Sequence, residues 1–224
     1  MVSGKLITIL AAAFTVVGAI EAPLPGYEVE DLTWEVEHTE GQPAAHLNGT
    51  IQQIHDQILE LNPDFKLQQF SPVEKREESD LLAKLATRDC VVCSNFPGTQ
   101  RSRVYQGIDY LRGIKGKPWL GPGPGKCIRV SCAYNAAIWW CNDEVSATVP
   151  CVINTMLIHF HLQNKEIKIL PSFTNIAQGA SLICQQCTTT GKSAFEQDQP
   201  WVHVVSGQDF HQDNWNVIVR WNEC

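Results

Sequence analysis

The placement of the cysteines constrains this chain more than any other feature, because all nine fall at or after Cys90. Such a density in residues 90–224 is typical of small secreted domains held together by disulfide bridges, and it is unusual in a cytosolic enzyme. An odd number leaves at least one thiol free, or engaged in an intermolecular bridge, and Cys151 is the natural candidate. The bridges are expected among the other eight: Cys90, Cys93, Cys127, Cys132, Cys141, Cys184, Cys187 and Cys224.

Four of the cysteines form two Cys-x-x-Cys pairs, at positions 90 and 93 and at positions 184 and 187. In a cytosolic chain such pairs would indicate a structural zinc site. The N-terminal sequence favours disulfide bridges instead, because it directs the chain to the oxidising secretory route. We therefore expect neither a metal nor a cofactor.

The first 19 residues have the pattern of a secretory signal peptide. Lys5 gives a positive start, residues 6–17 form an apolar run, and Ala19 places a small residue before the cleavage point. The run is shorter than the roughly 20 apolar residues that a membrane span needs. We therefore expect a secreted, extracellular protein with no stable membrane span, in which Asn48 of the Asn-Gly-Thr sequon can be glycosylated.

Charge divides the chain into two regions at the first cysteine. Residues 20–89 contain 15 acidic and 5 basic residues, whereas residues 90–224 contain 9 acidic and 11 basic residues. Lys75 and Arg76 form a dibasic pair before the boundary, and Arg88 lies next to it. In a secreted chain these residues predict proteolytic processing, so that the acidic region is a propeptide; the alternative is a solvated charged linker. The overall net charge of −7 argues against a nucleic-acid partner.

The acidic region nevertheless has the pattern of ordered structure. Residues 33–37 alternate like a strand, and residues 49–61 carry apolar side chains at helical spacing. Ile51, Ile54, Ile58 and Leu61 share one face of this predicted helix. One strand and one helix make an incomplete core, so we expect them to pack on the cysteine-rich region.

The cysteine-rich region, 89–224, is predicted to be an α+β domain with a small antiparallel sheet. Trp139 and Trp140 must point to opposite faces of a strand, so one is expected in the core and the other at the surface or beneath the propeptide. The predicted elements are helices over 102–112 and 176–187, a β-hairpin over 127–141, and strands over 201–205 and 214–221 that are joined by 207–213. The expected fold class is a disulfide-stapled α+β domain with two or three helices, preceded by a strand–helix propeptide over 20–88.

Two stretches of this region have a familiar pattern: CIRVSCAYNAAIWWCND over 127–143 and GQDFHQDNWNVIVR over 207–220. With the signal sequence, the sequon-bearing helix segment and the dibasic junction, they resemble a group of small secreted cysteine-rich proteins of filamentous fungi. The resemblance implies secretion, a fungal origin and an effector-like role, but no defined activity. The order of hairpin, helix and final strand also resembles fungal killer-toxin and necrosis-inducing effector folds, which are disulfide-bonded α+β sandwiches.

Residues 145–178 depart from the pattern of that group, in which the helix follows soon after the Trp-Trp-Cys-Asn-Asp segment. The ends of this stretch can be encoded by fungal splice-donor and branch-point sequences, and its removal would leave an even number of cysteines. One hypothesis is a retained intron in the gene sequence. The other is a genuine insertion that forms an extra pair of strands, over 153–162 and 167–170.

These observations predict an extracellular interaction protein, effector-like or toxin-like, whose partners are an unknown extracellular or host target and its own propeptide. The alternative is a secreted hydrolase or an enzyme inhibitor. A hydrolase needs a nucleophile, a base and an orienting group. The cysteine-rich region offers His203, His211, Asp209 and Asp213, but it has no Gly-x-Ser-x-Gly nucleophile elbow. We therefore assign no catalytic residue from the sequence.

Overall fold

A computed structural model of the chain describes residues 20–31, 33–68, 79–84, 90–142, 166–191 and 202–224. Four helical segments lie in these ranges: α1 (Ile51–Leu61), α2 (79–84), α3 (Arg101–Gly113) and α4 (Phe173–Gln186). The strands are β1 (Glu28–Val29), β2 (Thr33–Val36), β3 (Ala45–Asn48), β4 (Cys90–Cys93), β5 (Thr99–Gln100), β6 (Gly116–Lys117), β7 (Trp119–Leu120), β8 (Lys126–Ala133), β9 (Ala136–Asn142), β10 (Lys168–Ile169), β11 (Thr189–Gly191), β12 (Val202–Val205), β13 (Gly207–His211) and β14 (Trp215–Trp221).

A six-stranded sheet forms the centre of the fold, in the order β1-β8-β9-β14-β13-β4. Its pairings are antiparallel except at one edge, where the two residues of β1 run parallel to β8. Three smaller antiparallel sheets flank it, in the orders β3-β2-β6, β11-β12-β5 and β10-β7. The described residues therefore form a mixed α+β fold with several antiparallel sheets, which confirms the predicted class.

The predicted hairpin over 127–141 is present as β8 and β9. Tyr134 and Asn135 connect the two strands with φ angles of 51° and 58°. Two consecutive residues in the left-handed region are the signature of a type I′ turn, whose twist matches that of a hairpin. Cys127 lies directly opposite Cys141 in the register and forms a disulfide with it.

The two faces of the six-stranded sheet bury different cores. The inner face packs against the helices in a large apolar cluster, to which Trp140 belongs. The outer face carries a smaller cluster around Trp139, which also contains Ala137, Ile218 and the Cys127–Cys141 bridge. Both tryptophans are fully buried. Trp139 lies beneath residues of the acidic N-terminal region, which was one of the two positions that the sequence allowed.

The predicted strand and helix of the acidic region are present as β2 and α1, and both pack on the cysteine-rich region. The ring of Trp34 contacts that of Phe173 with centroids 4.3 Å apart. Strand β2 pairs with β6 on its free side. Six side chains of the region are buried in the main core: Trp34, Val36, Leu47, Ile51, Ile54 and Ile58.

The segment over 207–213, which was predicted to connect two strands, contains a strand of its own. Gly207–His211 forms β13, which pairs with β14 on one side and with β4 on the other. Two polar residues of this strand, Gln208 and Asp209, are buried. Gln208 satisfies its amide by donating to Asn216 Oδ1 at 3.1 Å, so the sheet accommodates the polar residue without an orphaned group.

Helix α4 begins three residues before its predicted start, within the doubtful stretch 145–178. Ser172 caps it by accepting a hydrogen bond from the backbone N–H of Thr174 at 3.1 Å. Phe173 and Ile176 are fully buried. Strand β10, in the predicted strand 167–170, pairs with β7. The described end of this stretch therefore packs on the rest of the fold, and the choice between a retained intron and a genuine insertion stays a prediction.

Several predicted features lie outside the described residues. They are the signal peptide over 1–19, the processing residues Lys75, Arg76 and Arg88, the proposed free thiol Cys151 and the predicted strand over 153–162. Among the helices that the structure describes, none has the length and apolar character to cross a membrane.

Candidate functional site

Three disulfides tie the described parts of the cysteine-rich region together. Cys93–Cys187 joins one cysteine from each Cys-x-x-Cys pair, so these two residues staple β4 to the end of α4. The second bridge crosses the hairpin, between Cys127 and Cys141. The third holds the end of the chain on β8, between Cys132 and Cys224. Cys90 is also disulfide-bonded.

Cys184 differs from its predicted role, because it is a free thiol and not part of a bridge. It lies on the inner face of α4 in the main core and is fully buried. Its Cys-x-x-Cys neighbour, Cys187, bonds with Cys93. Burial raises the pKa of the Cys184 thiol to about 12, so it is protonated and unreactive at neutral pH.

The N-terminal strap, which we define as residues 20–31, covers part of the outer face of the six-stranded sheet. Leu24, Tyr27 and Val29 pack against the outer cluster around Trp139. The strap continues into β1, so backbone pairing with β8 anchors its second half. The outer face is therefore covered by the acidic region of the chain.

Two glutamates of the strap pair with a lysine at the start of β8. The ammonium of Lys126 hydrogen-bonds to the carboxylate of Glu28 and lies 3.8 Å from Glu30 Oε1. The hydrogen bond to Lys126, with its Coulomb attraction, lowers the pKa of Glu28, and the same hydrogen bond raises the pKa of Lys126. Glu30 also accepts the backbone N–H of Gly121 at 2.8 Å. These contacts give the charge difference between the two regions a structural role.

A groove with a volume of about 850 Å³ lies beside the strap. It is lined by residues 20–27 of the strap, by residues 221–224 at the end of the chain, and by Arg129 of β8 and Arg220 of β14. This volume falls within the range of about 300–1,000 Å³ that is usual for small-ligand sites. The groove is the larger of the two candidate sites that we describe.

Both arginines of the groove are half-buried, and the acceptors that they reach are backbone carbonyls. Arg129 Nη1 donates to the carbonyl of Glu223 at 2.8 Å. Arg220 donates from Nη1 to the carbonyl of Pro23 at 2.9 Å and from Nε to that of Trp221 at 3.1 Å. Within the described ranges, neither guanidinium forms an ion pair with a carboxylate.

Burial changes the electrostatics of these two guanidiniums. Desolvation lowers the pKa of Arg129, and its buried Nε has no acceptor among the described residues. Desolvation also lowers the pKa of Arg220, while Coulomb attraction to Glu21 raises it in part. Each guanidinium has five N–H donors, and their strongest hydrogen bonds are to oxyanions. The groove thus presents two cations whose donors are only partly used.

A second, smaller cleft of about 400 Å³ contains most of the residues considered for hydrolysis. Asp209, His211 and Asp213 line it together with Trp215 and with Gly179 of α4. Helix α4 lies close to β14 at this point. A Cβ at position 179 would lie only 2.8 Å from the side chain of Val217, so the close contact requires glycine. No serine, threonine or cysteine is among the described lining residues.

The geometry of His211 sets what this cleft can do chemically. Its ring stacks on Trp215 with centroids 4.3 Å apart. The backbone N–H of Asp213 donates to Nδ1 at 3.2 Å, so the neutral ring carries its proton on Nε2. Asp213 Oδ2 lies 3.3 Å from the same Nδ1, where it pairs only with a protonated ring. His203 lies exposed on β12, in another sheet, and is not part of the cleft.

The sequon residue Asn48 is exposed at the end of β3. Its side-chain Oδ1 accepts a hydrogen bond from the hydroxyl of Thr33 at 2.6 Å. Gly49 follows with a φ angle of 108°, and Thr50 begins α1 as its N-cap. The sequon therefore lies on an exposed turn, where a glycan would meet no core residue.

Sequence reasoning missed the arginine groove. The available signal is a single arginine within an otherwise apolar strand, which occurs in Ile128-Arg129-Val130 and again in Val219-Arg220-Trp221. An arginine on a buried strand must satisfy its donors or meet a ligand. What the sequence does not contain is the long-range pairing that places both arginines on one face of the sheet.

Comparison with known proteins finds no matching family model, no similar curated protein and no similar solved structure. In the part of the chain that the structure describes, no group of three or more His, Cys, Asp or Glu side chains is arranged to hold a metal ion.

Proposed function

We propose that this chain is a secreted extracellular interaction protein, of the fungal effector-like or toxin-like kind, which binds its target in the groove beside the N-terminal strap. The observation that carries the proposal is the groove itself, in which half-buried Arg129 and Arg220 have unused hydrogen-bond donors. The three disulfides support an extracellular location, because such bridges persist in oxidising compartments.

The N-terminal strap is part of this binding site. Eight of the fourteen residues that line the groove belong to it, and Arg220 donates to its backbone at Pro23. Loss of the strap would expose the apolar cluster around Trp139 and remove most of the lining. The acidic region is thus a structural partner of the cysteine-rich region and contributes to the surface that meets the target.

A variant that fills the groove tests this proposal. Ala22 lines the groove, whereas Ala83 is exposed on α2 and lies away from it. We expect Ala22→Trp to lower binding to fungal or plant cell walls at least tenfold, measured as depletion of the protein from solution. Ala83→Trp, which adds the same side chain at the surface, should bind like the wild type. Failure of the wild-type protein to bind any such material would contradict the proposal, as would unchanged binding by Ala22→Trp.

A secreted hydrolase is the second candidate, and the cleft around His211 is the observation that favours it. A buried carboxylate, Asp209, lies on the same strand, two residues away and therefore on the same face. The matched pair of variants is His211→Ala and His203→Ala, because His203 is exposed in a different sheet. A hydrolase at this cleft predicts that only His211→Ala abolishes turnover of an extracellular polymer while both variants stay folded. Turnover that survives both substitutions would exclude it.

A further inference from the structure

We infer that the ligand of the groove carries a carboxylate on an organic molecule of oligosaccharide size, and that Arg129 and Arg220 bind it. The inference rests on the proposed function, since it names the ligand class for the same groove. It is argued from the donors of the two arginines, their spacing, the size of the groove and the acidic residues beside them.

The donors of the two arginines indicate an oxyanion. The guanidinium fork matches the geometry of a carboxylate, to which it can donate two parallel hydrogen bonds. In the groove, the two arginines donate three hydrogen bonds in total, and all three acceptors are neutral backbone carbonyls. Arg129 also lies over the ring of Trp139 at 6.0 Å and Arg220 over that of Phe96 at 5.5 Å, and these contacts offset only part of the cost of desolvating a cation. A bound carboxylate would offset more of it.

The positions of the two arginines suit a ligand larger than an inorganic ion. Arg129 lies opposite Trp139, and Arg220 lies opposite Ala137, so both are on the outer face of the sheet. They are on strands separated by β9, which places their backbones roughly 10 Å apart. A ligand with two acidic groups, or with one acidic group and an extended body, can therefore contact both arginines.

The lining of the groove suits such a body. Its volume of about 850 Å³ far exceeds that of a bare anion. The aromatic side chains of Tyr27 and Trp221 also line it. Flat rings give large contact areas at low conformational cost, while the arginines set the charge. A chain of uronic acids combines these features, because each ring carries a carboxylate.

The acidic residues of the groove provide a second test, because removing one of them should change ligand binding in the opposite direction from removing an arginine. Glu21 and Glu223 both line the groove, and Glu21 attracts Arg220 without forming an ion pair with it. A bound carboxylate would be repelled by Glu21. Removal of this charge should therefore strengthen binding, whereas removal of either arginine should weaken it. A purely structural role for the arginines predicts no such reversal.

The experiment is calorimetric titration of the full secreted chain with trigalacturonate, with inorganic sulfate and with the neutral sugar maltotriose as separate probes. We expect trigalacturonate to bind, more weakly as salt is added, and maltotriose not to bind. Arg129→Gln and Arg220→Gln should each weaken binding at least tenfold, and Glu21→Gln should strengthen it. Arg103→Gln is the matched control, because Arg103 stacks on Tyr134 away from the groove. Thermal unfolding verifies that each variant is folded, and Arg→Lys versions separate the loss of charge from the loss of the planar fork.

Three results would overturn the inference. The first is that trigalacturonate does not bind, and the second is that inorganic sulfate binds as tightly as trigalacturonate. The third is that folded Arg129→Gln and Arg220→Gln proteins bind trigalacturonate as tightly as the wild type. If Ala22→Trp still prevented binding to cell walls in that case, the proposed function would stand and only the ligand class would fall.

Discussion

Cys184 shows how its surroundings decide the chemistry of a single residue. The sequence places it in a Cys-x-x-Cys pair with Cys187, which suggests a bridge or a metal ligand. In the structure the bridge runs from Cys187 to Cys93, because the end of α4 faces β4. Cys184 is three residues earlier, on the buried face of the helix. The spacing of cysteines in a sequence does not show which of them face one another in the fold, so the pairing required the structure.

The raised pKa of Cys184 predicts a pH dependence of stability. The unfolded thiol ionises near pH 9, whereas the folded thiol stays protonated until about pH 12. Its contribution to stability is therefore complete below pH 9 and is lost as the pH rises to about 12. Within this window we expect the free energy of unfolding to fall by about 1.4 kcal/mol per pH unit from this group. The measurement is denaturant unfolding between pH 8 and 11, with Cys184→Ala as the control.

The Cys184→Ala protein should lack this part of the alkaline decline. Equal declines in the two proteins would show that other groups cause it and that the thiol is not desolvated as described.

At the scale of elements, local patterns predicted most helices and strands but not how they pair. Helix α1, helix α3 and the hairpin were predicted because each has a clear period, and α1 and the hairpin also have a cap or turn of their own. Strand β13 was missed because its polar residues are satisfied by a neighbouring strand and not by solvent. The parallel pairing of β1 with β8 joins residues about 100 positions apart, and no local pattern encodes it. The arginine groove depends on this pairing, so it could not be predicted from the sequence.

Helix α1 begins within the sequon, so Thr50 is both the third residue of the sequon and the N-cap of the helix. The side chain of Gln53 accepts hydrogen bonds from the backbone N–H of Thr50 at 2.8 Å and from its hydroxyl at 3.2 Å. Thr50→Ala should therefore remove the predicted glycan from Asn48 and also lower stability by about 1 kcal/mol, because the cap loses the hydrogen bond from the Thr50 hydroxyl to Gln53.

Two further variants separate the roles of the sequon. Thr50→Ser should keep both the glycan and the cap, whereas Asn48→Gln should lose only the glycan. Intact mass reports the glycan and thermal unfolding reports the cap. Equal stability of Thr50→Ala and Asn48→Gln would show that the cap contributes nothing.

At the scale of the whole molecule, the acidic and cysteine-rich regions form one core. No cysteine precedes Cys90, so no disulfide can join the two regions. They are held by the six buried side chains of the N-terminal region, by the pairing of β1 with β8 and of β2 with β6, and by contacts such as Lys126 with Glu28. Burial of six apolar side chains contributes on the order of 10 kcal/mol before the entropy cost. We therefore expect a cut at the dibasic pair to nick the protein without releasing the N-terminal piece.

The measurement that tests this account most directly is the behaviour of the purified protein after a kexin-type protease has cut it behind Arg76. Native size-exclusion chromatography and denaturing mass spectrometry without reductant are run on the same sample. The account predicts that the two pieces elute together in the native column and separate when denatured, and that the Cys184 thiol alkylates only after denaturation. An N-terminal piece that elutes alone, leaving a folded cysteine-rich domain, would contradict the shared core and with it the groove that the strap lines.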